Sequence, residues 1–164
     1  MIFKVDKNQA IKLWKYISGS IEQLLKCLDG LSSSDLNWCP IESANSLYVL
    51  ATHVLGNVEE NIIETLYGQK VNRNREDEFK ARGDSIEPIL SKWSDLQIRV
   101  KECIENLSSE NLTNIRKHPR RGELAGWEIL IIVARHATEH MGQAKLTRDL
   151  LFVSHGKQLA KRNY

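Results

Sequence analysis

Four stretches of this chain set their apolar residues at steps of three and four, and no segment alternates them convincingly in twos. Three-and-four spacing is the α-helical period, so helices packed on helices are the natural outcome. The first stretch, from about Asp6 to Asp29, carries Ile11, Trp14, Ile17, Ile21, Leu24 and Leu28, with Gly30 as its stop. The second opens at Asn45 or Ser46, both good N-cap residues. It runs through Leu47, Leu50, Ala51, Val54, Val58, Ile62 and Thr65 to Gly68. The third starts at Asp84 or Ser85, where Asp84 with Glu87 resembles a capping box and Pro88 falls in the first turn. Its core face is Ile86, Ile89, Leu90, Trp93, Leu96, Val100, Ile104 and Leu107. The fourth spans about Ala125 to Leu151 and is closed by Gly156.

A charged connection over 69–83 separates the second and third helices, long enough for a crossover, with Phe79 as its one apolar anchor. The basic run Arg116-Lys117-His118-Pro119-Arg120-Arg121-Gly122 has no interleaved aromatics and reads as a solvated loop. The tail Lys157 to Tyr164 is short and basic, and is expected to fray. The expected fold is an all-α four-helix bundle forming one domain over residues 1–164, long enough to bury a core without staples.

A net charge of +2 argues against nucleic acid or an anionic membrane as the main partner. Cys27, Cys39 and Cys103 are an odd set with no C-x-x-C pair, which suits a reducing compartment. The opening Met-Ile-Phe-Lys-Val-Asp lacks the apolar core of a signal peptide, and the longest apolar run, Ile129 to Ala134, is far below the ~20 residues of a membrane span. A cytoplasmic location is expected. Cys39, in a loop between Trp38 and Pro40, is the thiol to test for reactivity; the others suit small buried hydrophobes.

The chemistry concentrates in Arg135-His136-Ala137-Thr138-Glu139-His140-Met141-Gly142-Gln143. His136 and His140, one turn apart, fall near the centre of an apolar stripe made by Ile129, Val133, Ala144 and Leu151. Imidazoles there need partners, and two readings stand: hydrogen-bonded core histidines, or two ligands of a metal completed from another helix. The run also fits the H-x-x-E-H pattern of inverted zinc peptidases, with Glu139 as base. Glu139 points about 60° from His136 and 100° from His140, and neither chain length nor an all-helical pattern suits a peptidase. His53 lies on a flank of the second helix with Asn57, Glu60 and Glu64, where a boundary residue is the ordinary reading.

Three stretches resemble the DinB-like superfamily, also called DinB/YfiT-like. One is Leu36-Asn37-Trp38-Cys39-Pro40 with Asn45-Ser46-Leu47 and Ala51-Thr52-His53-Val54-Leu55-Gly56-Asn57; another is Arg75-Glu76-Asp77-Glu78-Phe79. The last is His136-x-x-Glu139-His140-x-Gly142-Gln143, continuing to Leu151. The resemblance implies a divalent-metal site, nickel or zinc, with His53, His136 and His140 as ligands. It also implies a homodimer and a metal-dependent enzyme acting on a small molecule, as a thiol-dependent transferase or a hydrolase, with a low-molecular-weight thiol as candidate partner. Asn57, Glu60 and Gln143 are candidates to support the ligands from behind. The rival expectation is a non-catalytic bundle that binds a ligand or partner, its metal structural or absent. A site that accepts substrate keeps an opening at the ion; a structural one is closed by a fourth protein ligand.

Overall fold

Asp6 opens the first helix with a reciprocal cap: its side chain accepts from the Gln9 amide, and the Gln9 side chain accepts from the Asp6 amide. The computed structural model describes residues 6–156; the basic tail lies outside the described residues. From this cap runs α1, Lys7–Leu25. A turn through Gly30, at φ 69°, leads to the short α2, Ser33–Leu36. Ser46 then caps α3, Leu47–Val58, by accepting from the Val49 amide.

Helix α3 runs without a break into a π-helical segment, Glu59–Leu66. Its bonds reach five residues back, as in Tyr67 N–H to the Ile62 carbonyl at 3.0 Å and Thr65 Oγ1 to the Glu60 carbonyl at 3.0 Å. Within the long connection lies one turn of helix, α4, Arg75–Glu78. Then come α5, Glu87–Glu105, and α6, Ser109–Thr113. Strands β1, Ile115–His118, and β2, Gly122–Ala125, precede the last helix, α7, Gly126–Ser154.

Helices α1, α3 with its π segment, α5 and α7 share one apolar core. Ile17, Ile21 and Leu24 meet Leu50 and Val54, Leu96 and Val100, and Ile129 and Val133 there. Each such side chain contributes roughly 1.5–3 kcal/mol by leaving water. Trp14 of α1 and Trp93 of α5 close one flank with ring centroids 6.0 Å apart.

The protein is mostly helical, but the all-α expectation is corrected by a small antiparallel sheet. Ile115 pairs with Ala125 and His118 with Gly122, so the supposed solvated loop is a hairpin. Its strands are four residues each, too short for an alternating pattern to show. The third long helix also starts later than expected, with Ile86 as a cap that makes no side-chain bond. Asn37 holds Gly83 through its carbonyl at 2.7 Å and its amide at 3.0 Å, tying the chain to α2 just before the predicted start. The Asp84–Glu87 capping box therefore does not form, although Pro88 does sit in the first turn. Leu90 and Ile11, assigned to core faces, are 44% and 42% exposed. Among the described residues no helix is long and apolar enough to cross a membrane.

Candidate metal centre

Packing of α3 against α7 brings His53 to His136 and His140. The Nε2 of His136 lies 3.1 Å from that of His53 and 3.1 Å from that of His140. One nitrogen from each ring falls within 4.8 Å of the other two, and no further His, Cys, Asp or Glu among the described residues joins the group.

Burial runs opposite to the helical-wheel reading. His53, assigned to a flank, is 5% exposed, whereas His136 and His140, assigned to the stripe centre, are half-buried. The flank of α3 and its π segment carrying His53, Asn57 and Glu60 is roofed by Arg73 and Glu78 of the connection and by the hairpin. A polar helix face has thus become interior. On α7 the buried face belongs to Val133, Ala137 and Ala144, which leaves the two histidines at its edge.

Two of the rings are fixed from behind. The Nδ1–H of His53 donates to Glu78 Oε2 at 2.8 Å, and the Nδ1–H of His140 donates to Gln143 Oε1 at 2.7 Å. With the proton on Nδ1, each ring can turn a lone pair on Nε2 toward His136. The His136 Nδ1 is buried with no partner. Burial, then the neighbouring His140 and His53, push His136 down to about 2, so this ring is neutral at ordinary pH. Burial also lowers His140, against the opposing bond from Gln143.

Glu78 belongs to a buried ion network. Arg73 donates to it through Nε at 2.6 Å and Nη2 at 2.7 Å, and reaches Glu60 through Nη1 at 2.9 Å. Arg120 of the hairpin turn grips both oxygens of Glu60. Burial alone would raise Glu78 and Glu60; their arginine bonds outweigh it and hold both below the usual carboxylate range. Glu60 thus anchors arginines and does not support a histidine directly. His118 is buried with both nitrogens used, Nε2–H donating to Asn61 Oδ1 at 2.9 Å and Nδ1 accepting from the Arg120 amide at 3.0 Å. It pins the hairpin to the π segment and has no nitrogen left for an ion.

The donor set fits a divalent metal. Nitrogens held ~2.1 Å from a tetrahedral ion lie about 3.4 Å apart, close to the two 3.1 Å spacings that His136 makes. Without a cation, lone pairs of His53 and His140 face a ring that can offer at most one proton between them.

A family model described as mycothiol-S-transferase matches residues 12–152. The chain belongs to this mycothiol-S-transferase family, and with it to the DinB-like superfamily. A DinB-like protein from Bacillus cereus ATCC 10987 superposes with a TM-score of 0.68 at 18% identity, over 95% of this chain and 97% of that one. A conserved protein from Enterococcus faecalis gives 0.69 at 14% identity, over 87% of this chain and 96% of that one. These two share the fold. No curated protein matches the chain significantly.

In this member of the mycothiol-S-transferase family a cavity of about 310 Å³ opens beside the three histidines, and Asn57, Phe79 and Glu139 line it. Asn57 presents a buried Oδ1 with no partner. Phe79, expected only as an anchor, packs against His53 with centroids 4.8 Å apart and ring planes tilted by 37°. Cys39 is exposed and outside the group. Glu78 lies within a family-like stretch, but nothing in the sequence assigns it a role. A carboxylate in a connection full of charges carries no periodicity to mark it.

Proposed function

We propose that the protein is a metal-dependent S-transferase for small molecules, holding one divalent ion, nickel or zinc, through His53, His136 and His140. The observation that carries this is the meeting of three Nε2 atoms, two of them on rings whose Nδ1 protons are committed to Glu78 and Gln143. An ion bound there would supply a Lewis acid that keeps a thiol in its charged, nucleophilic form at neutral pH. Glu78 keeps the His53 proton on Nδ1 and, anchored by Arg73, fixes the ring plane. Gln143 does the same for His140 from the adjacent turn. Phe79 walls one side of His53 from water.

The group's stop at three protein ligands, beside a cavity, supports a substrate-accepting site over a closed structural one. The family match supports a low-molecular-weight thiol as co-substrate. The same reading takes the chain as a single-domain four-helix bundle that acts in the cytoplasm as a homodimer, without nucleic acid or membrane as partner.

Metal analysis tests the core of this. After reconstitution with nickel, zinc or manganese, the wild type should retain about one ion per chain, and His53→Ala and His136→Ala should each lose it at least tenfold more readily. Absence of stoichiometric metal after all three reconstitutions would overturn the reading. A transferase screen of the loaded enzyme with bacterial thiols and electrophilic acceptors then tests the reaction.

A further inference from the structure

Guanidinium groups gather at the mouth of the cavity beside the triad. Arg75 comes from α4, Arg120 and Arg121 from the hairpin turn and Arg135 from α7, and Glu139 is the one carboxylate among the described lining residues. Arg120 is committed to Glu60. Among the described residues, no carboxylate forms an ion pair with Arg75, Arg121 or Arg135. A chain whose net charge is only +2 thus concentrates three uncommitted guanidiniums around one opening of about 310 Å³.

Arg75 is held in place. Its guanidinium lies over the Phe79 ring at 4.8 Å, and Phe79 packs against His53. This cation–π contact leaves the N–H donors of the group for a ligand. Three guanidiniums around a lining that holds one carboxylate, Glu139, repel one another, and an anion entering between them relieves that repulsion. The planar fork of arginine suits carboxylate and phosphate oxygens.

We propose that the molecule entering this cavity carries carboxylate or phosphate groups, and that Arg75, Arg121 and Arg135 select it. The proposal rests on the centre being a thiol-accepting metal site and adds the charge of what it accepts.

The full-length chain loaded with cobalt(II) is titrated with mercaptosuccinate, a thiol dicarboxylate, and with thioglycerol, a neutral thiol, reading the cobalt–thiolate charge-transfer band. The wild type should bind mercaptosuccinate roughly tenfold more tightly, and the ratio should shrink with added salt. In the triple variant Arg75→Gln, Arg121→Gln, Arg135→Gln the two affinities should come within about threefold. Equal affinities in the wild type overturn the proposal. So does a preference that survives the three substitutions, because it then comes from chelation by the ion. If no thiol produces a band, the thiol reading fails by itself, and calorimetric titration of succinate and of inorganic phosphate onto the same protein decides the anion claim. Binding that the triple variant loses upholds it, and no binding in the wild type overturns it.

Discussion

Glu78 occupies the space that a side chain at Gly56 would need: a β-carbon on Gly56 would sit 2.0 Å from Glu78 Oε1 and 3.1 Å from Arg73 Nε. Gly56 is in the middle of α3, where glycine costs about 1 kcal/mol relative to alanine. The bare backbone lets the carboxylate lie flat against the helix and still reach His53, one turn earlier.

Gly56→Ala should therefore weaken metal binding roughly 10- to 100-fold, the usual effect of disturbing the partner behind a ligand. Glu78 cannot step aside cheaply, because Arg73 and His53 hold both of its oxygens. Competition against a chelator of known affinity measures the change. Unchanged affinity with raised thermal stability would show that only helix propensity is at stake.

Removing Arg73 should cost stability as well as function. Its side chain is 4% exposed and is shared between Glu60 and Glu78. Arg73→Met leaves Glu78 without its arginine and Glu60 with Arg120 alone, and the expected loss is about 3–5 kcal/mol in urea denaturation. A loss below about 1 kcal/mol would mean that water or Arg120 replaces it fully.

Much of this protein can be read directly from its residues. Helical spacing located the four long helices to within a few residues because each buries one continuous apolar face, as Ile17, Ile21 and Leu24 show. The pair His136 and His140 was visible because four-residue spacing within a helix is a local fact. Spacing alone did not mark His53, which only the family resemblance named, since its burial depends on Arg73 and Glu78 folding over it from some 20 to 25 positions further along. Wheel geometry measures how apolar a helix face is, and it is blind to a face covered by ion pairs. The hairpin escaped for a similar reason: the buried group of its first strand is His118, tied to Asn61 by a hydrogen bond rather than by apolar contact.

The metal-free chain should lose stability as pH falls below about 6.5, the ordinary histidine value. His136, His140 and His118 are all held below that value in the folded state, chiefly by burial. Unfolding releases them to take up protons, so their contribution is complete above the unfolded pKa and fades as pH drops. Each proton taken up adds about 1.4 kcal/mol per pH unit to the slope. Urea midpoints measured from pH 7.5 down to 5.5 should fall steadily; a flat profile would mean that the folded rings accept protons as readily as free histidine.

Thiol labelling should divide the cysteines. Cys39 is exposed, whereas Cys27 and Cys103 are buried. Burial, with Glu102 adding to it, pushes the Cys103 thiol up to about 11, so almost none is thiolate at pH 8. A chromogenic disulfide should react quickly with one thiol per folded chain and with the remainder only in denaturant. Cys39→Ser should remove the fast phase and leave metal content unchanged.

The π segment between Glu59 and Leu66 implies a conflict between thermal endurance and function. A widened turn is a poorer helix than the α form, and it persists where an extra residue has been accommodated without shifting the residues downstream. Here Glu60 and Asn61 reach Arg120 and His118 of the hairpin, while Ile62, Ile63 and Leu66 remain in the core. Deleting one residue in this stretch would tighten it to regular α-helix and turn Glu60 and Asn61 off the hairpin. Laboratory selection for heat resistance alone should favour such deletions, and its winners should be robust proteins whose arginine-lined mouth has come loose.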